Sequence, residues 1–276
     1  DDVGPIPLGT DTSTSPLAWQ THDLEHMLLA SRELGVPMII GSAGDTGANS
    51  RVDLYVRIIK ELAAKHRMRP FRLGFFYSEV DKEHIRRRMR AGETVAGLEG
   101  HQALTEAELA ATERIVAMAG VHPFIELLKA GADVIIGGRS SDSCVFAAPA
   151  IQHGFTEAHS YYLGKVLECA SFCAEPYGGK ETVLGEITAD AVEVTAMHPG
   201  QRCTPASIAS HAMYERTNPF REYVAGGYID MTNCRYEQVA GLPGGTYRPG
   251  APSWGEKGLR VPLLRGSKRV AEVALP

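Results

Sequence analysis

No stretch of this chain approaches the roughly 20 consecutive apolar residues that a bilayer-spanning helix requires, and the opening Asp-Asp-Val-Gly-Pro lacks the pattern of a signal peptide. Its five cysteines, Cys144, Cys169, Cys173, Cys203 and Cys234, are odd in number and contain no CxxC pair. That count and spacing argue against both a disulfide framework and a zinc ribbon. A surplus of one charge is also missing, because 28 Lys and Arg stand against 33 Asp and Glu for a formal net charge of -5. Without a concentrated basic face there is no general attraction for nucleic acid. Motifs for common cofactors and hydrolases are absent too: there is no GxGxxG, no Walker lysine after Gly47, no GxSxG, no SxxK and no HExxH. The expectation is a soluble, cytoplasmic protein that uses neither membrane nor nucleic acid, needs no cofactor and acts on a small molecule, with assembly into a homo-oligomer left open.

What is present is an alternation of helix and strand signals. Leu24, Met27, Leu28 and Leu34 predict one apolar face of a helix over residues 23–34, with Gly35 as its stop. A buried strand is read over 36–40, a glycine-rich turn over 41–50, and a helix striped by Val52, Val56, Ile59 and Ala63. Further strands are expected over 71–77 and 133–137, with helices over 81–90, 106–119 and 123–130 and another starting near Ser140 or Ser141. Single helices between strands imply right-handed crossovers and parallel pairing. The predicted fold class is therefore α/β, a mostly parallel doubly wound sheet with helices on both faces over residues 1–160. A helix over 161–174 and β-runs over 182–187 and 191–197 without an intervening helix predict a smaller α+β portion over 161–239. Residues 240–276 hold seven glycines and five prolines, with six Lys and Arg against two Glu, and are read as an irregular basic tail.

Chemistry in such a sheet gathers at the carboxyl ends of its strands. Gly41, Ser42, Gly44, Asp45 and Gly47 form one candidate loop, where small residues let backbone amides approach an anion at a helix start. Arg139, Ser140, Ser141 and Asp142 follow another strand. Arg139 suits a carboxylate or phosphate, Asp142 can orient a base, and either serine is a nucleophile if a base lies in reach. Glu79 closes the strand between them, while Asp81 is explained equally well as a helix cap. These residues are expected to line one cleft. A proline- and glycine-fixed turn presents His198, Arg202 and Cys203 together, where the arginine would favour a thiolate, although a buried structural cysteine explains the same residue. His22, Glu25 and His26 match HxxEH, a two-histidine zinc pattern that short motifs often match by chance, and no metal site is assigned from it.

The runs PMIIGSAGDTG (37–47), FYSEVDKEHI (76–85), GADVIIGGRSSDS (131–143), HPGQRCTPASIASHAMYERTNPF (198–220) and GGYIDMTNCRYEQ (226–238), taken together and in this order, resemble the acyclic terpene utilisation family. The resemblance implies a catabolic role with branched terpenoid acids, such as those from citronellol or geraniol, handled as acyl-CoA thioesters. It also implies sequence before Asp1 and a different continuation after Gln238, so the chain is expected to be a fragment of a family member with its end replaced. The expected function is hydrolysis of an ester or thioester of a branched acyl substrate. The alternatives are a non-catalytic subunit that binds acyl-CoA or an anion, and a metal-dependent hydrolase.

Overall fold

The computed structural model describes residues 3–97, 100–178, 182–189, 191–238 and 247–250, the last of these in backbone. The chain divides into two compact units that are discontinuous in sequence: Asp2–Met118 with Val134–Ser140, and Ala119–Asp133 with Ser141–Pro276. Among the described residues no helix is long and apolar enough to cross a membrane.

The first unit is α/β. It holds helices α1 (Pro5–Thr10), α2 (Leu17–Leu34), α3 (Asn49–Lys65), α4 (Lys82–Arg90) and α5 (Glu106–Ala111), with strands β1 (Met38–Ile40), β2 (Leu73–Phe75) and β3 (Val134–Ile136). The three strands form an all-parallel sheet in the order β1-β3-β2, in which Val134 lies between Met38 and Leu73. Successive strand residues point to opposite faces. Met38, Val134 and Ile136 join Leu24 and Leu28 of α2 and Val52, Val56 and Ile59 of α3 in one core, so both helices cover the same face. Ile135 points the other way and is also buried.

Of the stripe predicted for α3, Val52, Val56 and Ile59 are buried, joined by Tyr55, Ile58 and Leu62, while Ala63 is half-buried; the face of α2 differs more. Its buried row is Gln20, Leu24, Leu28 and Ser31, while Met27 and Leu34 are exposed. Gln20 is held by accepting from the Tyr55 hydroxyl at 3.0 Å, and Ser31 donates to the Val36 carbonyl at 2.6 Å. Two polar residues with such partners are cheaper to bury than their composition suggests. Gly35 ends α2 in the left-handed conformation.

The helix expected over 106–119 stops at Ala111. It begins with a Thr105/Glu108 capping box, but beyond Thr112 the β-branched Ile115 and Val116 extend beside the segment after β2. The Val80 amide donates to the Ile115 carbonyl at 2.8 Å and the Ala117 amide to the Ser78 carbonyl at 2.7 Å, with an antiparallel bridge between Glu79 and Val116. Tertiary pairing here overrides helical periodicity.

Across α2 and α3, Glu25 accepts from Lys65 at 2.6 Å and pairs with His66. Hydrogen bonding to Lys65 first and His66 second pulls its carboxyl from 4.5 to about 2. Because the folded value lies below the ordinary one, the link stabilises above pH 4.5 and is lost as pH falls toward 2. Thermal melts should therefore show Glu25→Gln less stable than the parent near neutrality, with the gap closing on acidification through that window. A gap independent of pH would disprove this link.

The second unit contains α6 (His122–Lys129), α7 (Asp142–Gln152), α8 (Glu157–Leu167) and α9 (Pro205–Met213). Strands β4 (Ala174–Glu175) and β7 (Arg202–Cys203) pair with each other, as do β8 (Arg221–Val224) and β9 (Gly227–Asp230). A four-stranded sheet takes the order β10-β11-β6-β5, from β5 (Val183–Ile187), β6 (Val192–Ala196), β10 (Arg235–Gln238) and β11 (Tyr247–Gly250). Strands β5 and β6 fall where the two β-runs were expected. The helix expected over 161–174 instead starts at Glu157, because the Thr156 side chain caps it by accepting from the His159 amide. It ends at Leu167, and a left-handed Cys169 leads into a 3-10 turn over Ala170–Cys173. Within the stretch expected to be irregular, β11 pairs with β10 and β6; the rest of that stretch lies outside the described residues.

Candidate functional site

Each strand of the first unit's sheet runs at its carboxyl end into a loop, and hydrogen bonds stitch the loops together. The Ser42 amide donates to the Gly138 carbonyl at 3.1 Å and the Ala43 amide to the Gly137 carbonyl at 3.1 Å. Ser42 and Ser140 exchange further bonds: the Ser42 amide reaches the Ser140 Oγ at 3.1 Å, and the Ser140 amide reaches the Ser42 Oγ at 3.2 Å. The Ser78 hydroxyl donates to the Arg139 carbonyl at 3.0 Å. Gly47 permits the closest approach: its φ is +66°, and a Cβ there would lie 2.1 Å from the Arg139 nitrogen. At Gly138 a Cβ would meet the Ser78 Oγ at 2.5 Å. Ser42 (φ 44°) and Asp45 (φ 74°) are left-handed without being glycine, a strain of about 1–3 kcal/mol each that tends to collect at functional loops.

Beside these loops lies a network of carboxylates and arginines. Asp11 accepts from the Ser50 hydroxyl at 2.6 Å and from Arg51 Nε at 3.0 Å, and Arg114 Nη2 stands 3.6 Å away. Burial alone would raise its carboxyl, but the Ser50 hydrogen bond and the charges of Arg51 and Arg114 outweigh it and hold the group below its ordinary value. Arg114 donates through Nη1 to the carbonyls of Leu8 at 3.0 Å and Gly9 at 3.1 Å, and its Nε lies 3.9 Å from Glu79 Oε1. Glu79 Oε1 accepts from the Asn49 amide at 2.8 Å. Asp45 Oδ2 accepts from the Thr14 amide at 2.6 Å, and the Val3 carbonyl accepts from Arg139 Nη1 at 3.2 Å. Residues 3–14 thus cross the sheet edge, and Asp11 fills a cradle made by Ser50, Arg51 and Arg114.

Gly41, Ser42, Gly44, Asp45, Gly47, Glu79, Arg139 and Ser140 therefore share the loops of the first unit. Ser141, Asp142, His198, Arg202 and Cys203 belong to the second. Ser140 has the stitching role rather than that of an exposed nucleophile, since it is 1% exposed and bonded to Ser42. Ser141 occupies the N-cap of α7 without capping it; its Oγ lies 3.3 Å from that of Ser143. Asp142 opens the first turn of α7. His198 is exposed and its Nδ1 accepts from the Gly200 amide at 3.1 Å.

The expectation of a thiolate at Cys203 is corrected. Strand alternation turns Arg202 outward, 3.7 Å from Glu175, while Cys203 points inward, and burial pushes its thiol up to about 11. In the HxxEH segment the rings of His22 and His26 meet edge to face at 4.4 Å, but Glu25 is turned to Lys65 and His66. Among the described residues no group of three or more His, Cys, Asp and Glu is arranged to hold a metal ion.

Sequence reasoning missed Asp11, Asn49, Arg51 and Arg114. Asn49 and Arg51 follow the glycine loop directly and were in view as part of a helix start. Nothing local marks Asp11 or Arg114, which come together across about a hundred residues of sequence.

No curated protein and no solved structure matches the chain. The model of the family described as acyclic terpene utilisation family protein AtuA matches residues 15–241, which include the glycine loop, Glu79, Arg114 and Arg139. With most of its length so matched, the chain belongs to the acyclic terpene utilisation family AtuA, a membership that connects it with acyclic terpene utilisation.

Proposed function

We propose that this chain is a catabolic enzyme acting on a branched acyl substrate, and that the cradle of Ser50, Arg51 and Arg114 takes an anionic group of that substrate. One observation carries the reading. The cradle already holds a carboxylate, that of Asp11, on two arginines and a hydroxyl, and arginine recognises substrate carboxylates and phosphates by the same hydrogen bonds. Segment 3–14 would move aside as the substrate's anion replaces Asp11.

The reaction we assign is hydrolysis of an ester or thioester. Glu79, oriented by the Asn49 amide, takes a proton from water as the oxygen adds to the acyl carbon. The carbon–sulfur bond then breaks, and the thiol leaves with that proton. General-base catalysis of this kind contributes roughly 10²–10⁴-fold. Purified protein should release free thiol from a branched acyl-CoA thioester. Glu79→Gln should cut kcat by about 100-fold or more, and Arg114→Gln should chiefly raise KM. Turnover unchanged in Glu79→Gln removes the base assignment. Saturable binding with no thiol release from the parent protein would overturn hydrolysis and leave an acyl-binding subunit.

A further inference from the structure

At the end of α3 remote from Ser50 and Arg51, the first unit carries a groove of ≈ 430 Å³ that the proposed reaction does not use. Its lining is largely apolar, from Ile59, Ala63 and Ala64 on α3, Met68 in the connecting turn, and Phe71 and Leu73 leading into β2. The two alanines leave the room that longer side chains on the helix would fill. Met68, Phe71 and Leu73 pack against the buried core, and the Arg32 guanidinium lies 5.6 Å from the centre of the Phe71 ring. These walls are therefore fixed before anything binds.

On the β2 side of the groove the backbone has bonding capacity to spare. The Arg72 carbonyl accepts from the Val134 amide at 3.1 Å, and the Phe76 amide donates to the Ile136 carbonyl at 3.2 Å, so the even-numbered residues of this segment face β3. Backbone groups of alternate residues point to opposite sides of a strand, which turns those of Leu73 and Phe75 away from β3. Among the described residues β2 has no other neighbour in its sheet. An open edge of this kind is a template for one more strand.

The rim decides the charge of that strand. Lys60, Arg67 and Arg69 border the groove, all three exposed and none in an ion pair among the described residues, and no Asp or Glu lines it. Nor is the Arg67 side chain needed to cap α3, because the amides of Arg67 and Met68 already donate to the carbonyls of Ala64 at 3.1 Å and Ala63 at 3.0 Å. Arg67 is also left-handed without being glycine, with φ 49°, a strain that tends to collect at functional positions. We propose that this groove is a docking site for an acidic, extended segment of a partner protein. The segment adds to the free edge of β2, lays alternate apolar side chains against Ala63, Ala64 and Phe71, and sets its carboxylates against Lys60, Arg67 and Arg69. Main-chain hydrogen bonds supply the affinity of such a strand, and the groove and its charged rim supply selectivity. The surface lies at the other end of α3 from the arginine cradle and does not depend on it.

The test is fluorescence anisotropy of the whole chain with a short labelled peptide that alternates glutamate with valine. Two controls accompany it, one with lysine in place of glutamate and one with the acidic sequence N-methylated along its backbone. The acidic peptide should bind at least about tenfold more tightly than the lysine peptide, whose charges repel the rim, and N-methylation should abolish binding by removing the strand's donors. Arg67→Glu combined with Arg69→Glu should weaken the acidic peptide by about tenfold or more, and Ala64→Trp should block it by filling the groove. All three positions are exposed, so circular dichroism of these variants should match the parent. No binding, equal binding of acidic and basic peptides, or binding that survives N-methylation would overturn the proposal. So would a dimer in analytical ultracentrifugation that Ala64→Trp dissociates, since a second copy would then be the occupant. Thiol release from acyl-CoA reads the cradle, so the two proposals fail separately.

Discussion

Gly47→Ala is expected to destabilise the chain by roughly 3 kcal/mol or more, combining left-handed strain with a steric clash that the backbone cannot relieve. The new Cβ would stand 2.1 Å from the Arg139 nitrogen and 2.4 Å from its Cα. Arg139 cannot retreat easily, because its amide donates to the Gly47 carbonyl at 3.1 Å and its carbonyl accepts from Ser78. Gly35→Ala is the matched control: its φ is +67°, nearly the same, but nothing lies within 4 Å of the added atom. It should cost only about 1–2 kcal/mol, the left-handed penalty alone. Urea unfolding of both variants separates clash from conformation, and equal losses would mean that the two loops are not in close register.

The second large effect is expected at the ion pair of Lys165 and Glu168, which are only 4% and 8% exposed. Lys165→Met leaves the Glu168 carboxylate without its partner, and removing one member of such a pair costs about 3–5 kcal/mol. Changing both residues, Lys165→Met with Glu168→Met, removes the stranded charge, so the double variant should recover much of the loss. The Glu168 carbonyl that holds His211 belongs to the main chain and survives both changes. Denaturant titration of the two single variants and the double gives the coupling directly. Additive losses would show that the two charges do not depend on each other.

Both expectations rest on features with unequal traces in the sequence. Gly47 was visible as part of a glycine-rich turn between an apolar run and an amphipathic helix, and the structure places it there. Its close neighbour was not visible, since Arg139 lies 92 positions later and only the parallel pairing of β1 with β3 brings the two loops together. Lys165 and Glu168 carried no signal of burial, because charged residues near the end of a helix usually face solvent. Here α8 is buried on nearly all sides, so its charges must find partners inside. Ser140 was legible as a residue with a nucleophilic atom but not as one shut off from solvent, whereas burial was already one of the two readings of Cys203.

The sequence by itself determined the alternation of helices and strands from α2 to α7, the parallel character of the first sheet, the glycine loops at its carboxyl edge and the resemblance that the family match bears out. Those features are written in local periodicity, in turn residues and in ordered runs of identical type, all of which act over a few neighbouring positions. Tertiary structure alone decided that residues 3–14 cross the sheet edge, that Asp11 sits between Arg51 and Arg114, and that the strand carrying Cys203 turns its thiol inward. Partners, burial and proton affinities are set by groups distant along the chain. They take their values only once folding has fixed which surfaces lose water and which charges meet.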